Sequence, residues 1–144
     1  MDVDRLVAEE DAAWRALLDV FASIPPDRLD GSGVTDDGWS PKDVMFHIGA
    51  WCAEAANQLE RMRMGTFVGG ETDTEAKNRE WFETSQRLDV PTVRAELHPA
   101  RERMLREWLA LGEKTPTAQE WFEESGSIHY GGHVRDLRTW LERG

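Results

Sequence analysis

The sequence predicts an all-α protein, an up-down four-helix bundle with one short inserted helix. Two observations support this prediction. Four long segments place apolar residues three or four positions apart, which is the spacing of one face of a helix. No segment shows the apolar–polar alternation that is typical of a half-buried strand. A chain of 144 residues fits one domain, so we expect residues 1–144 to form a single bundle.

The first helix is predicted over residues 3–24. Apolar residues recur at helical spacing between Val3 and Ile24, and Pro25 and Pro26 follow directly. The glycines and aspartates over 27–38 then predict a loop.

The second helix has a well-marked start. Ser40 is a good N-cap, Pro41 suits the first helical position, and Asp43 completes a variant of the capping box. An apolar stripe follows over 44–62, and Gly65 is expected to end the helix.

Two helices are predicted in the middle of the chain. A short insert helix spans residues 73–86, with Thr72 or Asp73 as its cap. A longer helix then starts at Asp89 or Thr92 and continues with apolar residues at helical spacing.

Pro99 lies inside this longer helix and predicts a kink rather than a break. Residues 112–117 are expected to form a loop and residues 118–124 a helical turn. The last helix is expected to begin at Ser125 or Ser127.

These periodicities predict which side chains face the core of the bundle. The chain has seven tryptophans, and those within predicted helices are expected in the core or in a pocket wall. The residues predicted to be buried are Leu17, Leu18, Ile48, Trp51, Leu97, Met104, Trp108, Val134 and Leu137.

Charge and composition exclude several classes of function. A net charge of −11 disfavours binding to the nucleic-acid backbone, which needs clustered lysines and arginines. No run approaches the 18 apolar residues of a membrane span, and the first residues do not resemble a signal peptide. Cys52 has no second cysteine to pair with. We therefore expect a cytoplasmic protein with a small-molecule partner, with no nucleic-acid or membrane partner and with a homodimer left open.

Three of the four histidines are candidates for a metal site. His129 and His133 are four residues apart, so on a helix they share a face. His47 lies one turn into the second helix and can supply a third imidazole from a facing helix. Three histidines leave open coordination positions, as a catalytic site requires. The alternative is that each histidine is separately a surface or core residue, and such i,i+4 pairs are common.

The two histidine-bearing segments resemble those of the DinB/YfiT-like superfamily of four-helix bundles. The matching residues are Trp39-Ser40-x-Lys42-Asp43-x-x-x-His47 and His129-x-x-x-His133, and the helix order agrees over nearly the whole chain. This superfamily includes metal-dependent hydrolases, mycothiol- and bacillithiol-dependent transferases, and mycothiol-dependent maleylpyruvate isomerase. The resemblance implies that His47, His129 and His133 hold a divalent metal, commonly zinc or nickel, and form the catalytic centre.

The resemblance favours one activity and leaves two others open. The favoured activity is a thiol-dependent S-transferase or isomerase acting on a small electrophile, with a low-molecular-weight thiol as co-substrate. One alternative is hydrolysis of a small reactive molecule, as in self-resistance proteins of the ClbS-like branch. That branch commonly has Glu where this chain has Gly132. The other alternative is a non-catalytic protein that binds or sequesters a small molecule.

Several further polar residues could contribute to such a site. Glu54 lies two turns after His47, Asp136 could orient His133, and Asn78 and Glu80 could cover the site from the insert helix. For each of them a solvated or structural role is the simpler interpretation.

The remaining features are His98, Cys52 and the Gly131–Gly132 pair. His98 is interpreted as a surface or boundary residue, and Cys52 as a small buried one. Gly131 and Gly132 either allow close packing against a neighbouring helix or leave room beside a metal.

Overall fold

The computed structural model describes all residues from 1 to 144 and contains helices but no strand. Four long helices form the bundle, and two shorter ones lie between them. The helices are α1 (Val3–Ser23), α2 (Pro41–Met64), α3 (Thr74–Ser85), α4 (Val90–Ala110), α5 (Pro116–Ser125) and α6 (Ser127–Glu142), with a 3₁₀ turn at Pro26–Arg28. The predicted four-helix bundle with a short insert helix is confirmed.

The long helices pack in two pairs. Helix α1 lies against α6, and α2 lies against α4 over most of its length. Helices α3 and α5 both pack on α2, and α6 touches α2 at fewer positions. His47 lies on the side of α2 that faces α3, α5 and α6, and it is buried there.

Most of the predicted core is buried. Leu17, Ile48, Trp108 and Leu137 are fully buried, as are the other predicted members apart from two. Leu18 and Trp51 are only half-buried, so their assignment to the core was wrong. Trp51 instead lies in the wall of a cavity beside the histidines.

The helix starts agree with the sequence in three cases. Ser40 and Asp43 form the capping box of α2, and Asp73 and Asp89 cap α3 and α4. Helix α4 continues through Pro99 without a break. Helix α6 begins at Ser127, as expected. One expectation was wrong: residues 116–125 form a complete helix rather than a turn.

Gly126 joins α5 to α6. Its backbone has φ −107° and ψ −113°, and a Cβ atom at this position would lie 2.6 Å from the carbonyl oxygen of Phe122. Only glycine fits such a close approach to backbone. The tight junction lets α6 begin immediately where α5 ends.

A buried polar network connects four helices. Arg101 of α4 donates two hydrogen bonds to the carboxylate of Glu10 on α1, at 2.5 and 2.9 Å. Tyr130 of α6 donates to the same carboxylate at 3.0 Å, and its hydroxyl lies 3.4 Å from the Cys52 sulfur of α2. Because Arg101 and Glu10 are hydrogen-bonded as well as oppositely charged, neither charge is left uncompensated in the interior.

No helix is long and apolar enough to cross a membrane.

Candidate metal centre

Three imidazole rings converge between α2 and α6. The Nε2 atom of His129 lies 2.9 Å from Nε2 of His47 and 3.1 Å from Nε2 of His133. One ligand atom from each of the three residues falls within 4.8 Å of the others. The structure thus brings together the three histidines that the sequence singled out, and His98 lies elsewhere, with its ring edge-on to Trp14.

The first turn of α2 positions His47. The Asp43 carboxylate accepts the Ser40 backbone N–H at 2.9 Å, and it also accepts hydrogen bonds from Ser85 at 2.7 Å and Gln86 at 2.8 Å, at the end of α3. The capping residue therefore ties the start of α2 to α3. His47 is one turn further along the helix whose start is fixed in this way.

The rotation of α6 positions the other two histidines. Tyr130 is fully buried and hydrogen-bonded to Glu10, so it fixes the inward face of the helix. Its neighbour His129 is then turned toward α2, and His133 follows one turn later on the same side.

The surroundings of the rings favour lone pairs on the converging Nε2 atoms. Asp136 Oδ2 lies 3.4 Å from His133 Nδ1, and the Ser125 carbonyl interacts with the ring of His129. The Asp136 carboxylate favours a proton on Nδ1 of His133, and the Nδ1 atoms of all three rings are buried without a hydrogen-bond partner. A ring that carries its proton on Nε2 can donate to the next Nε2 at 2.9 or 3.1 Å, whereas three Nε2 atoms without protons direct their lone pairs at one point, where a cation can bind. The donor set therefore fits a divalent metal, and imidazole suits zinc, nickel, copper or iron alike.

Burial keeps the three rings neutral. Desolvation, together with the neighbouring His133, lowers the pKa of His47 to about 3. Desolvation also lowers the pKa of His129 well below its usual value, and that of His133 less strongly because Asp136 opposes the shift. Neutral imidazole is the form that binds metal. At neutral pH the three rings therefore do not have to lose a proton before they bind a cation.

A large cavity opens from one side of the histidines. Its volume is about 1160 Å³, and His47 and His129 form part of its wall. Helices α2, α3 and α5 and the loop at 65–73 enclose the rest. Trp51 and Trp121 lie in this wall with their ring centroids 6.5 Å apart.

A smaller cavity of about 590 Å³ opens from the other side. His47 and His133 contribute to it, and Trp39 and Phe82 form an aromatic wall. These two rings are stacked, with centroids 5.7 Å apart and planes inclined by only 6°. Trp39 also packs edge-on against the His47 ring at 4.8 Å.

The other polar candidates differ in whether they lie near the histidines. Glu54 lines the large cavity, Asn78 lines both cavities, and Asp136 faces His133 as described. Glu80 is exposed and lines neither cavity. Cys52 is fully buried and burial raises its pKa to about 12, so its thiol is not a nucleophile at neutral pH.

The glycine pair in α6 is not required by helix packing. A Cβ atom on Gly131 or Gly132 would meet only the guanidinium of Arg135, at 3.8 Å, which is an ordinary contact. Close approach of a neighbouring helix therefore does not explain the pair, and neither residue lines the two cavities.

Two features of the site were missed from the sequence. The Trp39–Phe82 wall joins residues on either side of α2, and Trp121 enters the large cavity because α5 is a full helix. Helical periodicity across 116–125 was the available signal for the second feature. No signal within either segment pairs Trp39 with Phe82.

A family model for the mycothiol maleylpyruvate isomerase N-terminal domain matches residues 5–137. The chain belongs to this family. The match spans nearly the whole bundle, including all three histidines, and it confirms the resemblance to the DinB/YfiT-like superfamily. No curated protein matches the sequence significantly.

Two solved structures share the fold of this family member. An uncharacterised protein from Escherichia coli UTI89 has a TM-score of 0.79 and 17% sequence identity, covering 96% of this chain and 91% of its own. TT2238, described as a four-helix bundle protein, has a TM-score of 0.67 and 19% identity, covering 94% of this chain and 98% of its own.

Proposed function

We propose that this protein is a metal-dependent S-transferase, or an isomerase working through a thiol adduct, that joins a low-molecular-weight thiol to a small electrophile. In this proposal His47, His129 and His133 hold one divalent cation, zinc or nickel, and form the catalytic centre. The convergence of their Nε2 atoms between two cavities carries the proposal. The family is named after a mycothiol-dependent isomerase, which supports a thiol as co-substrate.

A divalent cation on three neutral imidazoles keeps its full positive charge and lowers the pKa of a thiol or water that reaches it. The residues of the chain supply the rest. His47, His129 and His133 remain neutral, and the Asp136 carboxylate, 3.4 Å from Nδ1 of His133, favours a proton on that nitrogen. The pocket walls hold the two reactants close together, so the reaction within the site is effectively unimolecular.

The reaction proposed is nucleophilic attack by sulfur on carbon. The thiol loses its proton, its sulfur forms a bond to the electrophilic carbon, and a leaving group departs with its electron pair. With an unsaturated acceptor there is no leaving group, and a neighbouring carbon takes up a proton instead. Reversal of that addition after bond rotation returns an isomer and releases the thiol.

Turnover of an electrophile panel with and without added thiol tests the proposal. The panel includes chlorodinitrobenzene and an unsaturated keto acid, the protein is loaded with zinc or nickel, and mycothiol is the first thiol. We expect product to form catalytically and only when thiol is present. Turnover without thiol supports hydrolysis instead, and product that stops at one equivalent per chain supports a binding protein.

The His47→Ala variant provides the decisive comparison, with His98→Ala as its matched control. His47→Ala should abolish turnover yet remain folded, because the stability of the bundle comes from its apolar helix faces. His98→Ala should retain wild-type rates. Thermal unfolding of both variants separates loss of activity from loss of fold.

A further inference from the structure

Asn78 of α3 lies beside His47, although it is not one of the three candidate ligands. Two hydrogen bonds join side chains of α3 to α2: Ser85 donates to Asp43 at 2.7 Å, and Trp51 Nε1 donates to Asn78 at 2.9 Å. His47 lies midway between Asp43 and Trp51 in the sequence of α2. Asn78 is therefore about 5 Å, one helical turn, from the level of His47 along the axis of α2. These are also the two residues that line both cavities.

The hydrogen bond from Trp51 fixes the direction in which the amide of Asn78 points. An indole N–H group can only donate, so the atom that faces it is the amide oxygen Oδ1. The Nδ2 atom must then point away from Trp51. Its N–H bonds have no partner within the protein, and the side chain is half-buried in the cavity walls. The amide thus presents an oriented and unused donor to a molecule in the cavities.

The other carboxamide side chain of the large cavity differs in this respect. Gln58 of α2 also lines the cavity, but its Nε2 atom donates to the Glu54 carboxylate at 2.7 Å. Asn78 is therefore the carboxamide in these walls whose N–H group has no acceptor in the protein. An amide also remains a neutral donor at every pH, because it does not titrate.

We infer that the Asn78 amide is a further catalytic group, which donates a hydrogen bond to the carbonyl oxygen of an unsaturated acceptor while sulfur adds to the carbon of that acceptor. The inference rests on the proposed function, which supplies the thiol and the acceptor. Because Trp51 already holds the amide, the donor needs no reorganisation when charge develops on the oxygen.

Sulfur addition to an enone places negative charge on oxygen. The thiol loses its proton to solvent, its sulfur forms a bond to the β-carbon, and the π electrons shift so that the carbonyl oxygen becomes an enolate oxygen. The hydrogen bond from Nδ2 strengthens as this charge develops, which lowers the barrier without tightening the binding of the acceptor. A proton from solvent then adds to the α-carbon and restores the carbonyl group.

Turnover of two acceptors by the zinc-loaded protein with mycothiol tests the role of Asn78. Cyclohexenone takes up charge on oxygen, whereas benzyl bromide has no oxygen and releases bromide with its electron pair. Asn78→Ala should lower kcat for cyclohexenone by about 10- to 100-fold and leave its KM unchanged. The loss is smaller than for a fully enclosed donor because water reaches this half-buried side chain. Turnover of benzyl bromide should not change.

Two further variants separate loss of the donor from loss of structure. Asn78→Asp keeps an oxygen that accepts from Trp51 but has no N–H group, so it should show the same selective loss, and it decides the question if Asn78→Ala does not fold. Gln58→Ala removes the amide whose donor is already used, and both rates should stay at the wild-type level. Equal losses for the two acceptors in the Asn78 variants, or no loss, overturn the inference.

A measurement without turnover separates this inference from the proposed function. The absorption of para-dimethylaminocinnamaldehyde moves to longer wavelength when a donor polarises its carbonyl oxygen, and without thiol the aldehyde is not consumed. Zinc-loaded wild type and Gln58→Ala should give the same red shift, and Asn78→Ala a smaller one. If the transfer reaction fails but the shift depends on Asn78, the proposed function is wrong and the donor role holds. A shift that does not depend on Asn78 overturns the inference whether or not the protein is a transferase.

Discussion

The Nε2 atoms of His47 and His129 lie 2.9 Å apart, although 82 residues separate them in the sequence. The approach depends on two anchors: the capping residue Asp43, which ties α2 to α3, and Tyr130, which is hydrogen-bonded to Glu10 on α1. Two neutral imidazoles at this distance can share a hydrogen bond in the metal-free protein, and the same two nitrogens can bind one cation when neither carries a proton. We therefore expect metal binding, acid stability and helix packing to be linked at this site.

The stability of the metal-free protein should fall as the pH is lowered below 6.5. Burial lowers the pKa of His47 to about 3, so between those two values the unfolded chain binds a proton that the folded chain excludes. The neutral ring thus contributes stability above pH 6.5 that is lost progressively on acidification, by about 1.4 kcal/mol per pH unit for one imidazole. Urea unfolding in chelator at a series of pH values measures this slope.

His47→Gln is the control for that experiment, because glutamine is polar but does not titrate. The difference in slope between wild type and variant isolates His47 from the carboxylates that also titrate in this range. Parallel slopes for the two proteins would show that the ring is not held neutral by burial.

Removing the negative charge from the buried network should destabilise the fold strongly. Glu10→Gln leaves the Arg101 guanidinium with only the more exposed carboxylates of Asp11 and Glu102, and loss of the buried partner costs about 3–5 kcal/mol. Glu60→Gln removes the partner of Arg103 in a more exposed pair, at 2.7 Å, and should cost no more than about 1 kcal/mol. Chemical denaturation of both variants gives the comparison, and similar costs would contradict the role assigned to Glu10.

Substitution by alanine should have opposite effects on stability at two glycines that lie six residues apart, Gly126 and Gly132. Gly132 lies within α6 and a Cβ there meets only Arg135, so Gly132→Ala should stabilise the protein by about 1 kcal/mol. Gly126→Ala should destabilise it, because the new Cβ would lie 2.6 Å from the Phe122 carbonyl oxygen. Thermal unfolding reports both effects. A destabilised Gly132→Ala variant with intact metal binding would mean that α6 needs the glycine for a reason that packing does not explain.

Local patterns explain why much of the fold could be predicted from the sequence. The capping box at Ser40 and Asp43 and the apolar stripes of the long helices are local signals, and each appears in the structure where expected. The histidine pair on α6 is local too, since i,i+4 residues share a face. His47 could be assigned to the same site because the start of its helix resembles that of a known superfamily.

The remaining features depend on contacts between distant segments. Trp51 was assigned to the core because its spacing fits the stripe of α2, but α3 and α5 cover it only in part and leave a cavity beside it. Periodicity shows which face of a helix is apolar and does not show whether a neighbour fills the space beside it. The Glu10–Arg101 pair and the Trp39–Phe82 wall likewise arise only from packing.

Metal content of the untagged protein, purified without chelator, tests the central claim most directly. We expect about one equivalent of zinc or nickel per chain in the wild type and in His98→Ala, and less than about a tenth of an equivalent in His129→Ala, whose ring lies between the other two. All three proteins should remain helical by circular dichroism. A wild-type protein that holds less than a tenth of an equivalent even after loading, or a His129→Ala variant that keeps its metal, would contradict the account.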